Sequence, residues 1–187
     1  MADESSLSDS YIRVACAEDT AFVQVFGLAS MFLAPTLQAF VESEKNDGIV
    51  NFVIDMKYCQ GMDSTFMGTL IGLSTVVKNL FGWFCLVNVS DDNRRLLKML
   101  GVIHMISIRE APLPITEGEF TTLYPSSDPV ERQKQIRNAH LALIEADPGN
   151  KQRFGPFIEA LEEELSSLPR IVPPKSKSQD DAGGPAK

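Results

Sequence analysis

The chain has 187 residues, of which 44% are hydrophobic and 22% are charged, and its formal net charge is -8. This length and composition are typical of one globular domain with an appendage. The acidic balance argues against a nucleic-acid-binding protein, because contact with a phosphate backbone needs a basic surface.

The start of the chain and its cysteines bear on the compartment. The first ten residues, MADESSLSDS, are acidic and polar, whereas a signal peptide needs a basic start and an apolar stretch. The longest apolar stretch, residues 67–84, is interrupted by Thr69, Lys78 and Asn79, so it does not resemble a membrane span. Three sparse cysteines suit a reducing compartment. We therefore expect a cytoplasmic protein.

The first 48 residues predict two strands and a helix. Residues 11–16 and 22–26 are β-rich runs separated by a turn at 18–20, which favours a hairpin. Pro35 is tolerated in the first turn of a helix, and Leu37, Phe40 and Val41 form an apolar stripe over 35–45. The sequence Asn-Asp-Gly at 46–48 predicts the end of this helix.

The middle of the chain alternates strands and helices. Residues 49–55, IVNFVID, predict a central strand. A loop at 57–62 and the triplet Asp-Ser-Thr at 63–65 lead into a helix to about residue 81, which is apolar nearly all round and therefore predicted to be buried. Strands at 83–89 and 103–108 flank a short helix capped by Asp91. This alternation predicts an α/β fold with parallel neighbouring strands.

The C-terminal part predicts a helical hairpin. Helices at 129–147 and 150–168 are separated by Asp-Pro-Gly-Asn, and Pro156 predicts that the regular part of the second begins near it. Helices this short must pack on something, so we expect the hairpin to cover the sheet or to form a dimer. The predicted organisation is a disordered N-terminus (1–10), an α/β domain (11–110), a connector (111–128), a hairpin extension (129–168) and a disordered tail (169–187).

The most informative segment is 53–73, VIDMKYCQGMDSTFMGTLIGL. It has an apolar strand ending in Asp55, a short loop ending in Asp63-Ser64, and a helix with Gly68 in its first turns. This order resembles the STAS domain family, whose soluble members are the anti-sigma factor antagonists, and the resemblance covers about the first 110 residues. It implies a mixed β-sheet with helices packed mainly on one face. Phe66 is a departure, because many members have a small residue there, and it could alter the partner surface or kinase access.

The resemblance also implies a function. In the antagonists, the serine of this motif is phosphorylated by a partner that is both a serine kinase and an anti-sigma factor, and a metal-dependent phosphatase reverses the modification. By resemblance, the chain is a phospho-regulated switch in signal transduction and transcription regulation that binds this partner while Ser64 is unmodified. The implied partner-binding residues are Asp55, Asp63, Ser64, Thr65, Met67 and Gly68. We expect no catalytic residues, no metal and no cofactor.

Physical chemistry supports this interpretation of Ser64 but leaves an alternative open. A helix N-terminus offers free backbone N–H groups and the positive end of the dipole, so a phosphate is tolerated there. The phosphate adds about -1.5 to -2 charges, which would repel a docked partner. Alternatively, Asp63 or Ser64 serves only as a helix cap, and the chain is a constitutive scaffold or oligomerisation module. Thr65 is an alternative acceptor, and Asp55 could be simply a polar strand-end residue.

Other candidate chemistry is weak. His104 and His140 lie among apolar residues and are predicted to pack rather than to catalyse, and Cys59 lacks the basic neighbours of a reactive thiol apart from Lys57. The sequence contains neither GxGxxG nor a P-loop motif. A small-ligand or enzymatic role is a third hypothesis, for which no pocket residues are recognisable.

Overall fold

The computed structural model describes residues 10–110 and 120–167. Within these ranges lie six strands and five helices: β1 (Tyr11–Ala17), β2 (Thr20–Ala29), α1 (Ala34–Asn46), β3 (Asn51–Met62), α2 (Ser64–Asn79), β4 (Trp83–Val87), α3 (Asp91–Met99), β5 (Ser107–Arg109), β6 (Thr121–Leu123), α4 (Pro129–Ala146) and α5 (Asn150–Ser167). The predicted disordered segments lie outside the described residues, apart from residue 10.

All six strands belong to one mixed sheet in the order β5-β4-β3-β2-β1-β6. β1 pairs antiparallel with β2 and β6, whereas the pairs β2–β3, β3–β4 and β4–β5 are parallel. The parallel pairs follow from the crossover helices α1, α2 and α3 between successive strands. The mixed sheet and the C-terminal helices confirm the predicted fold class.

The two faces of the sheet are covered unequally. Residues on one face pack with apolar residues of α1, α2, α3 and α4 into the main core, which includes Ile54 of β3 and Leu70 of α2. The other face has a smaller cluster of Phe22, Val53, Cys85 and Val87, with Phe120 packed against it. Because neighbouring side chains of a strand point to opposite faces, the strand positions that flank Ile54 lie away from the helices.

Three predictions about the strands are wrong. The segment 57–62, predicted as a loop, belongs to strand β3. β3 continues its pairing with β2 as far as Met62, and two irregularities in the register allow this although the segment lacks the apolar pattern of a strand. The predicted strand at 103–108 begins as a 3-10 turn, Ile103–Met105, and only then becomes β5. The connector contains β6, whose position on the edge of β1 depends on pairing that a local pattern does not show.

The helical hairpin packs on the α/β unit. Leu143 of α4 is fully buried in the main core. The amide Nδ2 of Asn150 donates to the carbonyls of Leu100 (2.9 Å) and Leu143 (3.0 Å) and so ties the start of α5 to the end of α3. α5 therefore begins at Asn150, and the prediction of a start near Pro156 is wrong: the proline lies inside the helix.

Candidate functional site

Asp63 is the N-cap of α2, and both oxygens of its carboxylate accept hydrogen bonds. Oδ1 accepts from the backbone N–H of Phe66 at 2.8 Å, which satisfies a free donor of the first turn. Oδ2 accepts from the backbone N–H of Met31 at 2.7 Å, in the segment before α1. One carboxylate thus connects the start of α2 to the segment between β2 and α1.

Ser64 is the first residue of α2 and does not cap it. Its Oγ lies 3.0 Å from Nε2 of His140 on α4, and the residue is partly exposed. Nδ1 of His140 lies 2.8 Å from the carbonyl oxygen of Ile136, which only accepts, so Nδ1 holds the proton in the neutral ring. Nε2 is then an acceptor, and the Ser64 hydroxyl donates to it.

His140 is held in a buried, aromatic environment. Only 4% of its surface is exposed. Its ring makes edge contacts with Phe154 and Phe157 of α5, at centroid distances of 4.7 and 5.1 Å. The helical spacing predicts this packing against the hairpin. The hydrogen bond joins His140 to Ser64, which lies 76 positions earlier in the chain. No sequence motif predicted this contact.

The helices α2 and α4 cross in direct backbone contact at Gly68. A Cβ atom at this position would lie 2.1 Å from the carbonyl oxygen of Ala139. Next to it, Nε2 of the buried Gln135 donates to Oγ1 of Thr69 at 2.8 Å. Glycine is therefore required at position 68 by the close approach of α4.

Desolvation shifts the pKa values of the two titratable groups at this site. Burial raises the pKa of Asp63, and the N–H donors of Phe66 and Met31 and the proximity of His140 partly offset this. Burial lowers the pKa of His140, against the opposing effects of the Ile136 carbonyl and Asp63. The neutral imidazole, which accepts from Ser64, is therefore favoured.

The predicted partner-binding residues lie in different environments. Asp63, Ser64, Thr65, Met67 and Gly68 lie together in the first turns of α2, but Thr65 and Met67 are each only 4% exposed, and Gly68 is covered by α4. Asp55 is buried, two positions along β3 from Val53, and therefore faces away from the helices. Its Oδ1 accepts from Nδ2 of Asn88 (2.9 Å) and the backbone N–H of Lys57 (3.0 Å).

Within the described ranges, no three His, Cys, Asp or Glu side chains converge in a way that could hold a metal ion. Among the helices in the same part of the chain, none has both the length and the apolar character needed to cross a bilayer.

Comparison with known proteins establishes the family. The STAS domain model matches residues 11–113, which is more than half of the chain, and the chain therefore belongs to the STAS domain family. The match ends before the hairpin. No curated protein matches the chain.

Several solved structures resemble the chain at low identity. A putative anti-sigma factor antagonist from Thermotoga maritima is 16% identical, with a TM-score of 0.49 over 52% of this chain and 85% of that chain. The anti-sigma factor antagonist SpoIIAA in its unphosphorylated form is 17% identical, with a TM-score of 0.49 over 58% of this chain and 90% of that chain. The Bacillus cell fate determinant SpoIIAA in the phosphorylated form is 18% identical, with a TM-score of 0.46 over 58% and 94%. Similarity this distant carries no argument about what the chain binds.

Proposed function

We propose that the chain is a phospho-regulated protein-binding switch of the anti-sigma factor antagonist type, with Ser64 as the phosphate acceptor. In this proposal, the partner is a cytoplasmic serine kinase that also acts as an anti-sigma factor. The partner binds while Ser64 is unmodified and is released when Ser64 is phosphorylated, and a phosphatase resets the switch. The chain binds and is modified, but it catalyses no reaction itself.

The observation that supports this proposal best is that Asp63, and not Ser64, caps α2. Asp63 caps α2, so the Ser64 hydroxyl is not needed to begin the helix. The hydroxyl lies instead at the partly exposed first turn of α2, at the position where the resemblance to the anti-sigma factor antagonists implies the acceptor. Modification of such a hydroxyl leaves the helix cap intact.

The electrostatics explain how one phosphate would change binding without unfolding the domain. The N-terminus of α2 has the positive end of the helix dipole, which tolerates an anion. The new charge of about -1.5 to -2 is strongly hydrated and lies beside the Asp63 carboxylate, so a partner that covers this turn would have to desolvate both. The expected effect is loss of binding with little loss of fold.

The direct test is the mass of the chain purified from its native cells, with and without phosphatase treatment. We expect a difference of one phosphoryl group, mapped by fragmentation to Ser64. Incubation with the co-purifying kinase and Mg-ATP should restore it, and Ser64→Asp should weaken the complex with that kinase.

Thr65 provides a matched control for this test. Its side chain is buried, so Thr65→Ala should be phosphorylated like the wild type, whereas Ser64→Ala should gain no phosphate. If Ser64→Ala is phosphorylated as well as the wild type, the assignment of the acceptor is wrong. Circular dichroism of both variants checks that the fold is retained.

A second candidate function is a constitutive scaffold, favoured by the burial of the predicted partner surface. α4 covers Gly68, and the Ser64 hydroxyl is bonded to a buried histidine. A scaffold would bind its partner equally well as wild type, Ser64→Ala and Ser64→Asp, and the chain from native cells would contain no phosphoserine. The same samples therefore separate the two functions.

A further inference from the structure

The hairpin covers the end of α2 that contains Ser64. Three contacts from α4 follow one another along the first two turns of α2: His140 on Ser64, Ala139 on Gly68, and Gln135 on Thr69. The STAS match ends at residue 113, whereas α4 begins at Pro129. A segment outside the family unit thus occupies the surface around the proposed acceptor.

The contact at Gly68 leaves no space for a second occupant. The Ala139 carbonyl would lie 2.1 Å from any Cβ at this position, closer than non-bonded atoms approach. A partner that docks on this face of α2 therefore has to replace α4. The hairpin and such a partner are competitors for one surface.

The Ser64 hydroxyl donates a hydrogen bond to His140, and the oxygen of a phosphoserine ester cannot donate this bond. The hydroxyl donates its proton to Nε2 of His140, while the Nδ1–H of the same ring is already donated to Ile136. An esterified oxygen has no proton to donate, so the Nε2 lone pair would face phosphate oxygens next to the Asp63 carboxylate. A buried acceptor that is left without a donor destabilises the packed arrangement, because its desolvation is no longer compensated.

We propose that the hairpin of α4 and α5 is a built-in cover that docks on α2 only while the Ser64 hydroxyl is unmodified. This inference rests on the proposed role of Ser64 as acceptor. In the transfer, Ser64 Oγ bonds to the γ-phosphorus of ATP, the bond from that phosphorus to ADP breaks, and the hydroxyl proton passes to a base of the kinase. Docking and modification are linked at equilibrium: docking disfavours the phosphorylated form of Ser64, and phosphorylation weakens docking by the same free energy. Docking also hinders access of the kinase to the hydroxyl and therefore slows phosphorylation.

The test uses the full chain with phosphoserine installed at position 64 during synthesis, compared with the unmodified chain by hydrogen–deuterium exchange. We expect peptides of α4 and α5 to exchange about tenfold faster in the phosphorylated chain, while β2 and β3 stay protected. Unchanged or slower exchange of the hairpin would overturn the proposal, because the phosphate is then accommodated, for example by a protonated His140. Faster exchange throughout the sheet would also overturn it, since that result means global unfolding.

A pair of hairpin variants tests the reverse direction. Gln135→Ala removes the bond to Thr69 without changing α2, and it should speed both hairpin exchange and phosphorylation of Ser64 by the co-purifying kinase. Arg137→Ala is the control, because Arg137 contacts Glu162 within the hairpin at 2.6 Å and not α2, and it should leave the phosphorylation rate unchanged. Equal rates for Gln135→Ala and the wild type would contradict the cover.

The two proposals fail in different ways. If native cells contain no phosphate on Ser64, the proposed function is wrong, but the exchange experiment still decides whether the hairpin is released, because the installed phosphoserine needs no kinase.

Discussion

The two ends of α2 differ more than its sequence suggests. At the N-terminal end, Asp63 uses both carboxylate oxygens, and α4 approaches to backbone contact at Gly68. At the C-terminal end, Leu80 is 44% exposed and Phe81 is fully exposed. The helix is apolar nearly all round as far as Val77, yet the hairpin closes over its N-terminal end and leaves Leu80 and Phe81 exposed. Apolar character alone therefore does not show which part of a helix a neighbour covers.

At the covered end, the hydrogen bonds of Asp63 lie next to the close helix crossing at Gly68. At the exposed end, the backbone forms a C-terminal capping motif. The N–H of Phe81 donates to the carbonyl of Lys78, and the N–H of Gly82 donates to the carbonyl of Val77, as in a Schellman motif. Phe81 has the left-handed φ of 60° that usually belongs to glycine in this motif. Gly82 is required for another reason, since a Cβ there would lie 1.9 Å from the carbonyl oxygen of Val50.

The largest effect is expected from Asp63→Ala at the covered end. The change removes the cap of α2 and leaves the N–H of Met31 without its carboxylate acceptor, so the free energy of unfolding should fall by about 2 to 3 kcal/mol. Urea denaturation followed by circular dichroism measures it. Asp63→Asn retains one acceptor oxygen and should lose less, and an equal loss in both variants would contradict the roles assigned to the two oxygens.

The close crossing is tested by a matched pair of glycine substitutions in α2. Gly68→Ala pushes a methyl group against the backbone of Ala139 and should destabilise the protein by about 1 to 2 kcal/mol, the overpacking cost less the gain in helix propensity. At Gly72 a Cβ would lie 3.7 Å from the Ala142 side chain, an ordinary contact, so Gly72→Ala should stabilise by up to about 1 kcal/mol. The same sign for both substitutions in thermal denaturation would show that α4 is not rigidly docked.

The pH dependence of the covered end should follow His140. Burial lowers its pKa below the ordinary value of 6.5, so the unfolded chain takes up the proton first. Stability is then fully present above about pH 6.5 and falls as the pH drops through the folded-state pKa. His140→Asn should lose this dependence, which denaturation at a series of pH values checks.

The pKa of Asp63 is shifted in the opposite direction, upward from 3.8. The contribution of this shift to the free energy of unfolding is therefore greatest at acid pH and is lost as the pH rises.

The smallest effect is expected at the exposed end. Phe81→Gly relieves the left-handed backbone strain and, because the side chain is fully exposed, loses no burial. The strain relief exceeds the entropic cost of glycine only slightly, so a gain of about 0.5 kcal/mol is expected. Phe81→Ala keeps the Cβ and should change stability little. An equal gain in both variants would mean that removal of the aromatic ring, and not the backbone, is responsible.

Much of the fold and part of the site were predictable because they depend on local patterns. The alternation of β-branched runs with helical stripes predicted the parallel strands β3 and β4 and the buried helix between them. The Asp-Ser pair at 63–64 predicted a helix start, since both residues are favoured there. The sequence did not show which residue of the pair caps the helix, because Asp and Ser are both favoured N-cap residues. The structure has Asp63 as the cap and Ser64 hydrogen-bonded to His140.

What the sequence by itself determined is the order of strands β1 to β5 and of the helices, the resemblance to the family and the place of the candidate acceptor. Hydrophobic periodicity and cap residues act within a few positions of the chain. Only the tertiary structure decided that Asp55 faces away from the helices, that β6 extends the sheet, and that α4 covers Ser64. These features depend on contacts between residues far apart in the chain, such as Ser64 with His140 and Gly68 with Ala139, and such contacts form only when whole elements have packed.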